Sequence, residues 1–182
     1  MRIKIIFLLI NLMLLQNVIA KSINYYPKAL QKELSKKWNL SIDALDEINM
    51  LSNELVKEGK FYKLNKDSIL NGFVFVGRIY SCRAGGCEGK SAAKSFEGYE
   101  YFDAYIIFDK NKTVKSVKVY NYQATHGHEI TSKGWLKQFI DFSGENRLEV
   151  GKDIDSISGA TISVQAITDE VNYLTEMLKF YK

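Results

Sequence analysis

Cysteine and proline are scarce in this chain of 182 residues, which holds two cysteines and one proline. With two cysteines the chain can form at most one internal disulfide. A single proline and 12 glycines argue against disorder or a long flexible linker. The sequence has no Gly-x-Gly-x-x-Gly pattern and no Walker loop, so it does not support a nucleotide site of either kind. It also has no internal repeat and no low-complexity segment.

The N-terminal segment Met1–Ala20 has the pattern of a secretory signal peptide. Arg2 and Lys4 precede an apolar run from Ile5 to Leu15 that only Asn11 interrupts. This run is shorter than the roughly 20 residues of a membrane-spanning helix, so cleavage after Ala20 is favoured over an uncleaved anchor. No cysteine follows the run, which argues against a lipoprotein signal. Either way, we expect one exported domain in the periplasm or on the outer face of the cytoplasmic membrane.

The charge of the chain indicates no particular partner. The formal net charge is +4, and removal of Arg2 and Lys4 lowers it by two to +2. We therefore expect no nucleic-acid partner. The cluster Lys32, Lys36 and Lys37 is interpreted as a solvated helix face.

Hydrophobic periodicity predicts a single α+β domain, with an antiparallel sheet between N-terminal helices and a C-terminal helix. The predicted division is a signal peptide over residues 1–20, an N-terminal helical segment over 21–70 and the main domain over 71–182. Helices are expected at Tyr26–Trp38, Ile42–Glu58 (with Gly59 as its stop), Gly134–Phe142 and Ile162–Tyr181. Strands are expected at Lys60–Leu64, Gly72–Tyr80, Tyr99–Asp109 and Thr113–Tyr122.

The segment Asp155–Thr161, with the sequence Asp-Ser-Ile-Ser-Gly-Ala-Thr, directly precedes the last predicted helix. A helix start offers unpaired N–H groups and the positive end of the helix dipole, which suit a phosphate. Gly159 and Ala160 are small enough for a ligand to approach the backbone closely. Thr161 adds a hydroxyl at that place. A plain helix N-cap has a similar composition, so the pattern of residue types alone does not decide between the two.

The pattern Asp-x-x-Ser-Gly-Ala-Thr resembles the flavinylation motif of the FMN-binding domain family. That family includes the C subunit of the sodium-pumping NADH:quinone oxidoreductase and the G subunit of the Rnf complex. The resemblance, over roughly Gly72 to Lys182, implies that FMN is attached to Thr161 through a phosphoester made by a flavin transferase. It further implies that Ser158, Gly159 and Ala160 present the phosphate and that Asp155 begins the recognition motif.

The loop after the predicted hairpin matches a Thr-x-Gly segment of the same family at Thr125 and Gly127. The resemblance implies that both line the flavin pocket, while the roles of His126 and His128 stay open. Trp135 is a further candidate for stacking on the flavin. Tyr101 is another, but an aromatic residue at such a position is more often part of the core. We therefore expect the core for both, with Trp135 the better stacking candidate.

Cys82 and Cys87 are expected to form a disulfide, because an even number of cysteines in an exported protein usually pairs. A redox dithiol beside the flavin is the alternative. A zinc site combining the two cysteines with His126 and His128 has looser spacing than structural zinc motifs, so no metal is assigned.

The resemblance implies an electron carrier that shuttles electrons between a membrane donor and an extracytoplasmic acceptor, with a flavin transferase and a membrane redox complex as partners. Electron carriage needs no general acid or base, so no catalytic residue is assigned. The alternatives are a flavin-dependent reductase with its own substrate, a domain that binds FMN without the ester, and an exported interaction domain without flavin.

Overall fold

A computed structural model describes residues 22–50, 58–64, 71–83 and 98–181. Five strands form one antiparallel sheet in which the spatial order follows the chain order. The strands are β1 (Leu45–Ile48), β2 (Gly59–Leu64), β3 (Phe73–Arg83), β4 (Tyr99–Phe108) and β5 (Val114–Tyr122). The predicted α+β class with an antiparallel sheet is confirmed. The described parts on either side of residue 70 share this sheet, because β2 pairs with β3.

Three α-helices accompany the sheet in the described part of the chain: α1 (Lys28–Trp38), α2 (Lys133–Leu136) and α3 (Thr161–Phe180). Short 3₁₀ helices cover Ile42–Ala44, His128–Thr131 and Lys137–Phe139. Pro27 stands at the N-cap of α1, where its lack of an N–H costs no intrahelical bond. Across the described ranges, no helix is long and apolar enough to cross a membrane.

Both faces of the sheet are covered, which explains the unbroken apolar runs in β3 and β4. One face packs against α3, whose buried residues include Val164, Ile167 and Val171. The opposite face packs against α1 through Leu30 and Leu34. The N-terminal helix and the C-terminal helix therefore lie on opposite sides of one sheet.

A partly buried carboxylate fastens α1 to the sheet. Glu33 accepts hydrogen bonds from Tyr105 Oη at 2.5 Å and from Ser116 Oγ at 2.6 Å. Lys37 Nζ, on the same helix, lies 2.6 Å from the carboxylate, and the Glu33 side chain is only 14% exposed. Burial pushes the pKa of Glu33 upward, but the bonds from Lys37, Ser116 and Tyr105 outweigh it and hold the pKa below the ordinary value of 4.5.

The predicted helix Ile42–Glu58 is wrong in its described part. Residues Leu45–Ile48 form β1, and Gly59 is the first residue of β2 rather than a helix stop. Leu45 packs against the α1-side core and Ile48 against the α3-side core. Apolar residues three apart share one face of a helix but lie on opposite faces of a strand. Because this sheet has a core on each face, a strand with apolar residues three apart buries one of them in each core.

The helix predicted over Gly134–Phe142 is also wrong in extent. It consists of α2 followed by a 3₁₀ turn that ends at Phe139. The N–H of Asp141 donates to the carbonyl of Val114 at 2.8 Å, and the N–H of Val114 donates to the carbonyl of Phe142 at 2.9 Å. These bonds to the start of β5 draw the chain out of the helix, with Asp141 at φ +66°.

The other predicted elements are confirmed with small shifts in their bounds. They are the first and last helices, three strands corresponding to β2, β3 and β4, and β5 of the hairpin. The signal peptide over residues 1–20 and the turn at Cys87 lie outside the described residues. Cys82 is a residue of β3, but its predicted disulfide involves Cys87 and stays a prediction.

We predict that Glu33→Gln lowers the free energy of unfolding by about 1–3 kcal/mol at neutral pH, because one amide cannot accept all the hydrogen bonds of the carboxylate. The folded pKa of Glu33 is depressed, so its stabilisation is present above pH 4.5 and is lost as the pH falls through the folded pKa. The difference between variant and wild type should therefore shrink in acid. Urea titrations at several pH values measure it.

The matched control is Glu149→Gln, since that side chain is 63% exposed and lies 3.7 Å from its partner Lys152. An exposed pair of this kind contributes about 0.5 kcal/mol or less. Equal destabilisation by the two substitutions would contradict the role given to Glu33.

Candidate functional site

A tight turn leads the chain into α3. The N–H of Ala160 donates to the carbonyl of Ile157 at 3.0 Å. Gly159, the third residue of this turn, has φ +79°, a value that a type II turn requires and glycine adopts freely. A Cβ added at Gly159 would have no neighbour within 4 Å, so that side of the turn is open.

Thr161 is the first residue of α3, and its side chain is exposed. No side chain of the described residues caps this helix start, and the first turn holds no acidic residue. The first-turn N–H groups, at the positive end of the helix dipole beside Thr161, therefore have no capping side chain among the described residues. This arrangement suits a phosphate group held at Thr161.

The loop after β5 packs directly against the start of α3 at Gly127. A Cβ added at Gly127 would lie 3.2 Å from the Cβ of Ala160 and 3.0 Å from Ser163 Oγ. It would also lie 2.9 Å from Tyr122 Oη, and Gly127 has φ +90°. Two segments that the sequence separates by more than thirty residues thus meet at a point where only hydrogen and methyl groups fit.

Tyr122 joins these two segments through its hydroxyl. It donates to the carbonyl of His126 and lies 3.1 Å from Ser163 Oγ. Its ring stacks on Phe102 at 5.8 Å, and the ring of His128 meets it edge-on at 5.4 Å. Burial raises the pKa of Tyr122, so the phenol keeps its proton at neutral pH and can donate this bond.

Trp135 holds the beginning of the motif. Its Nε1 donates to the backbone carbonyl of Asp155 at 2.9 Å. The N–H of Asp155 donates to Gln138 Oε1 at 2.8 Å, while the Asp155 side chain is exposed. Trp135 is half-buried and meets Phe139 edge-on at 5.4 Å. The α2 region therefore fixes the backbone at the start of the motif.

The structure places Gly127 against Ala160 at the start of α3, where Ser158, Gly159 and Thr161 are its neighbours in the chain. Trp135 lies instead at Asp155, the first residue of the motif. Thr125 lies in the same loop, but its hydroxyl donates to Glu100 on β4 and does not contact α3 among the bonds described.

Tyr101 and His126, which the sequence analysis also considered, have surroundings different from those of the site. Tyr101 lies on the opposite face of the sheet, beneath the guanidinium of Arg78 at 3.7 Å. The His126 side chain is exposed, and this residue contributes to the site through its backbone carbonyl.

Sequence reasoning missed Tyr122, Ser163 and Ile162. Tyr122 and Ser163 look like an ordinary strand end and helix residue, and only the packing of the loop against α3 joins them. Ile162 carried a signal that could have been noticed, because it places a large apolar side chain next to Thr161 on the first turn. In the structure Ile162 is 42% exposed.

Comparison with protein families gives one match. Residues 98–176 match the model of the FMN-binding domain, a range that runs from β4 through the Gly127 loop and Thr161 into α3. The chain contains an FMN-binding domain. The match is narrower than the resemblance over Gly72–Lys182. A search of curated proteins finds no match.

The match to the FMN-binding domain supports FMN as the cofactor and an electron-transfer role. The residues at the start of α3 fit the phosphate end of FMN, because the first turn is uncapped by the described residues and Gly159 leaves open space beside it. The exposed Ile162 offers apolar surface on the first turn, and the half-buried indole of Trp135 lies at Asp155, the first residue of the motif.

We predict that Gly127→Ala destabilises the FMN-binding domain more than Gly159→Ala. Both residues have positive φ, which costs alanine about 1–2 kcal/mol. Only at Gly127 does the new methyl group also overlap neighbouring atoms. This overlap raises the expected loss in the free energy of unfolding to about 2–5 kcal/mol. Urea unfolding of both variants measures the difference, and equal losses would contradict the close approach of Gly127 to α3.

Proposed function

We propose that the protein is an exported electron carrier whose FMN is joined by a phosphoester to the hydroxyl of Thr161. The observation that carries this proposal is the position of Thr161. Its exposed hydroxyl stands at the first residue of α3, beside an uncapped first turn and an open glycine turn, within the region that matches the FMN-binding domain.

The ester bond forms between Thr161 Oγ and the phosphorus of FMN. Free FMN and a hydroxyl do not condense readily in water, so we propose an activated donor, a flavin dinucleotide. As the new bond forms, the phosphoanhydride of the dinucleotide breaks and a nucleoside monophosphate leaves. The hydroxyl proton passes to a base of the flavin transferase. An exposed hydroxyl is necessary for this reaction, because a second protein must reach it.

The neighbouring residues have distinct tasks in this proposal. The turn through Ser158 and Gly159 leaves space for the phosphate, and Ala160 is small because Gly127 packs against it. The first-turn N–H groups of α3 bind the phosphate oxygens. Asp155 presents an exposed carboxylate to the transferase, where a bound magnesium ion is a suitable partner.

When bound, FMN supplies the redox chemistry, accepting and passing on one or two electrons. The chain's own residues position it. Trp135 and Ile162 provide apolar surface for the ring, and Tyr122 holds the Gly127 loop against α3. A covalent bond keeps the cofactor in place outside the cytoplasm, where lost FMN would not be replaced. The proposed partners are the flavin transferase and a membrane redox complex.

We predict that Thr161→Val abolishes covalent flavin, while Thr161→Ser retains it in part because serine keeps the hydroxyl. The protein is expressed together with a matching flavin transferase, and the intact mass is measured. Wild type should gain the mass of FMN less one water, and the valine variant should gain nothing.

Covalent flavin on the valine variant would overturn the assignment of Thr161. An unmodified wild type, with the transferase active on a control substrate, would overturn the ester itself. Tightly bound flavin without a mass gain would then indicate an FMN-binding domain that holds its cofactor without a covalent bond.

A further inference from the structure

The outer surface of α1 carries a line of lysines. Lys28, Lys32 and Lys36 are all exposed and recur every four residues, so they form a stripe about 12 Å long on one side of the helix. We call these three residues the basic face. The sequence alone suggests a solvated helix surface, but two features of the structure make it more specific.

The first feature is that α1 presents no compensating negative charge. Its only acidic residue is Glu33, which is turned towards the sheet and bound by Tyr105, Ser116 and Lys37. Leu30 and Leu34 are fully buried beneath the helix. The basic face is therefore held outward by packing, and the charge on the outside of α1 is entirely positive.

The second feature is that these lysines have no ion-pair partner among the described residues. Several other basic side chains do have one, such as Lys115 with Asp141 and Arg147 with Asp169. Tyr26, two residues before Lys28, packs its ring against Tyr62 at 5.7 Å but stays 46% exposed, and it is one of three large hydrophobic residues so exposed in the described part. A partly exposed tyrosine beside lysines is typical of membrane–water interfaces.

We propose that the basic face of α1, with Tyr26 at its end, binds the anionic headgroups of a phospholipid membrane. Charge complementarity favours this, at a gain of roughly fivefold in affinity for each lysine near the surface. The sequence adds a reason to choose a membrane: the apolar run ends at Leu15, and the 13 residues from there to Lys28 reach at most about 45 Å. While that run is in a bilayer, during export or permanently, α1 stays close to it.

This orientation has a consequence for the FMN-binding domain. Helix α1 and helix α3 cover opposite faces of the sheet, so a membrane bound at α1 leaves the start of α3 uncovered. A redox partner could then reach Thr161 while the domain rests on the membrane. The membrane contact does not require flavin, so its test does not depend on the proposed ester at Thr161.

Lysine footprinting tests the proposal in the full exported chain, whether or not its N-terminal segment is retained. A water-soluble acylating reagent is applied at neutral pH with phosphatidylglycerol-containing vesicles or with pure phosphatidylcholine vesicles. We expect the modification rates of Lys28, Lys32 and Lys36 to fall at least about threefold with the anionic vesicles only, and to recover at high salt. The exposed lysines Lys133 and Lys137 should be unaffected.

The matched variants are compared by co-sedimentation with the anionic vesicles. The bound fraction should fall in Lys28→Gln/Lys32→Gln/Lys36→Gln. It should persist in Lys110→Gln/Lys133→Gln/Lys137→Gln, which removes the same charge elsewhere. Equal modification rates with both vesicle types, or an equal fall in binding in both variants, would overturn the proposal. Protection by soluble polyglutamate as strong as by vesicles would also overturn it, in favour of an acidic protein partner.

Discussion

The site depends on the close approach of Gly127 to the start of α3. This contact joins the loop after β5 to the turn that carries Thr161, and it leaves no room for a side chain at Gly127 or for one larger than methyl at Ala160. The Tyr122 hydroxyl lies within hydrogen-bonding distance of the His126 carbonyl in the loop and of Ser163 Oγ on α3, so it links the two segments. A displacement of either segment would move the Thr161 hydroxyl relative to the apolar surface around it.

The sheet gives this contact a rigid base. Strand β4 is buried on both faces over most of its length, between a core beneath α3 and a second core beneath α1. The register between β4 and β5 shifts at Asp103/Ala104, close to the end where Tyr122 lies. The bulge increases the local bend of the strand pair, and β5 delivers the Gly127 loop to the helix start from this end. The two faces can therefore serve different purposes, a cofactor site at α3 and a charged surface at α1.

Much of the architecture followed from short-range patterns. The hairpin of β4 and β5 and the first and last helices were predictable because their apolar residues recur at the period of the element itself. The errors occurred where tertiary contacts competed with the local pattern. Leu45 and Ile48 have helical spacing, but they serve two cores on opposite faces of a sheet. The helix after Gly134 stops early because Asp141 and Phe142 bond to Val114 at the start of β5.

The sequence by itself indicated the family and located the motif that ends at Thr161, because a glycine turn followed by a helix start is a local structure set by adjacent residues. It also identified Gly127 through a resemblance over a few neighbouring positions. Only the tertiary structure decided that Gly127 touches Ala160, that Trp135 holds Asp155 and that Tyr122 lies beside Ser163. It likewise decided that Glu33 is partly buried against the sheet while Lys28, Lys32 and Lys36 are exposed. These contacts join residues far apart in the chain, so they depend on how the sheet brings its loops and helices together.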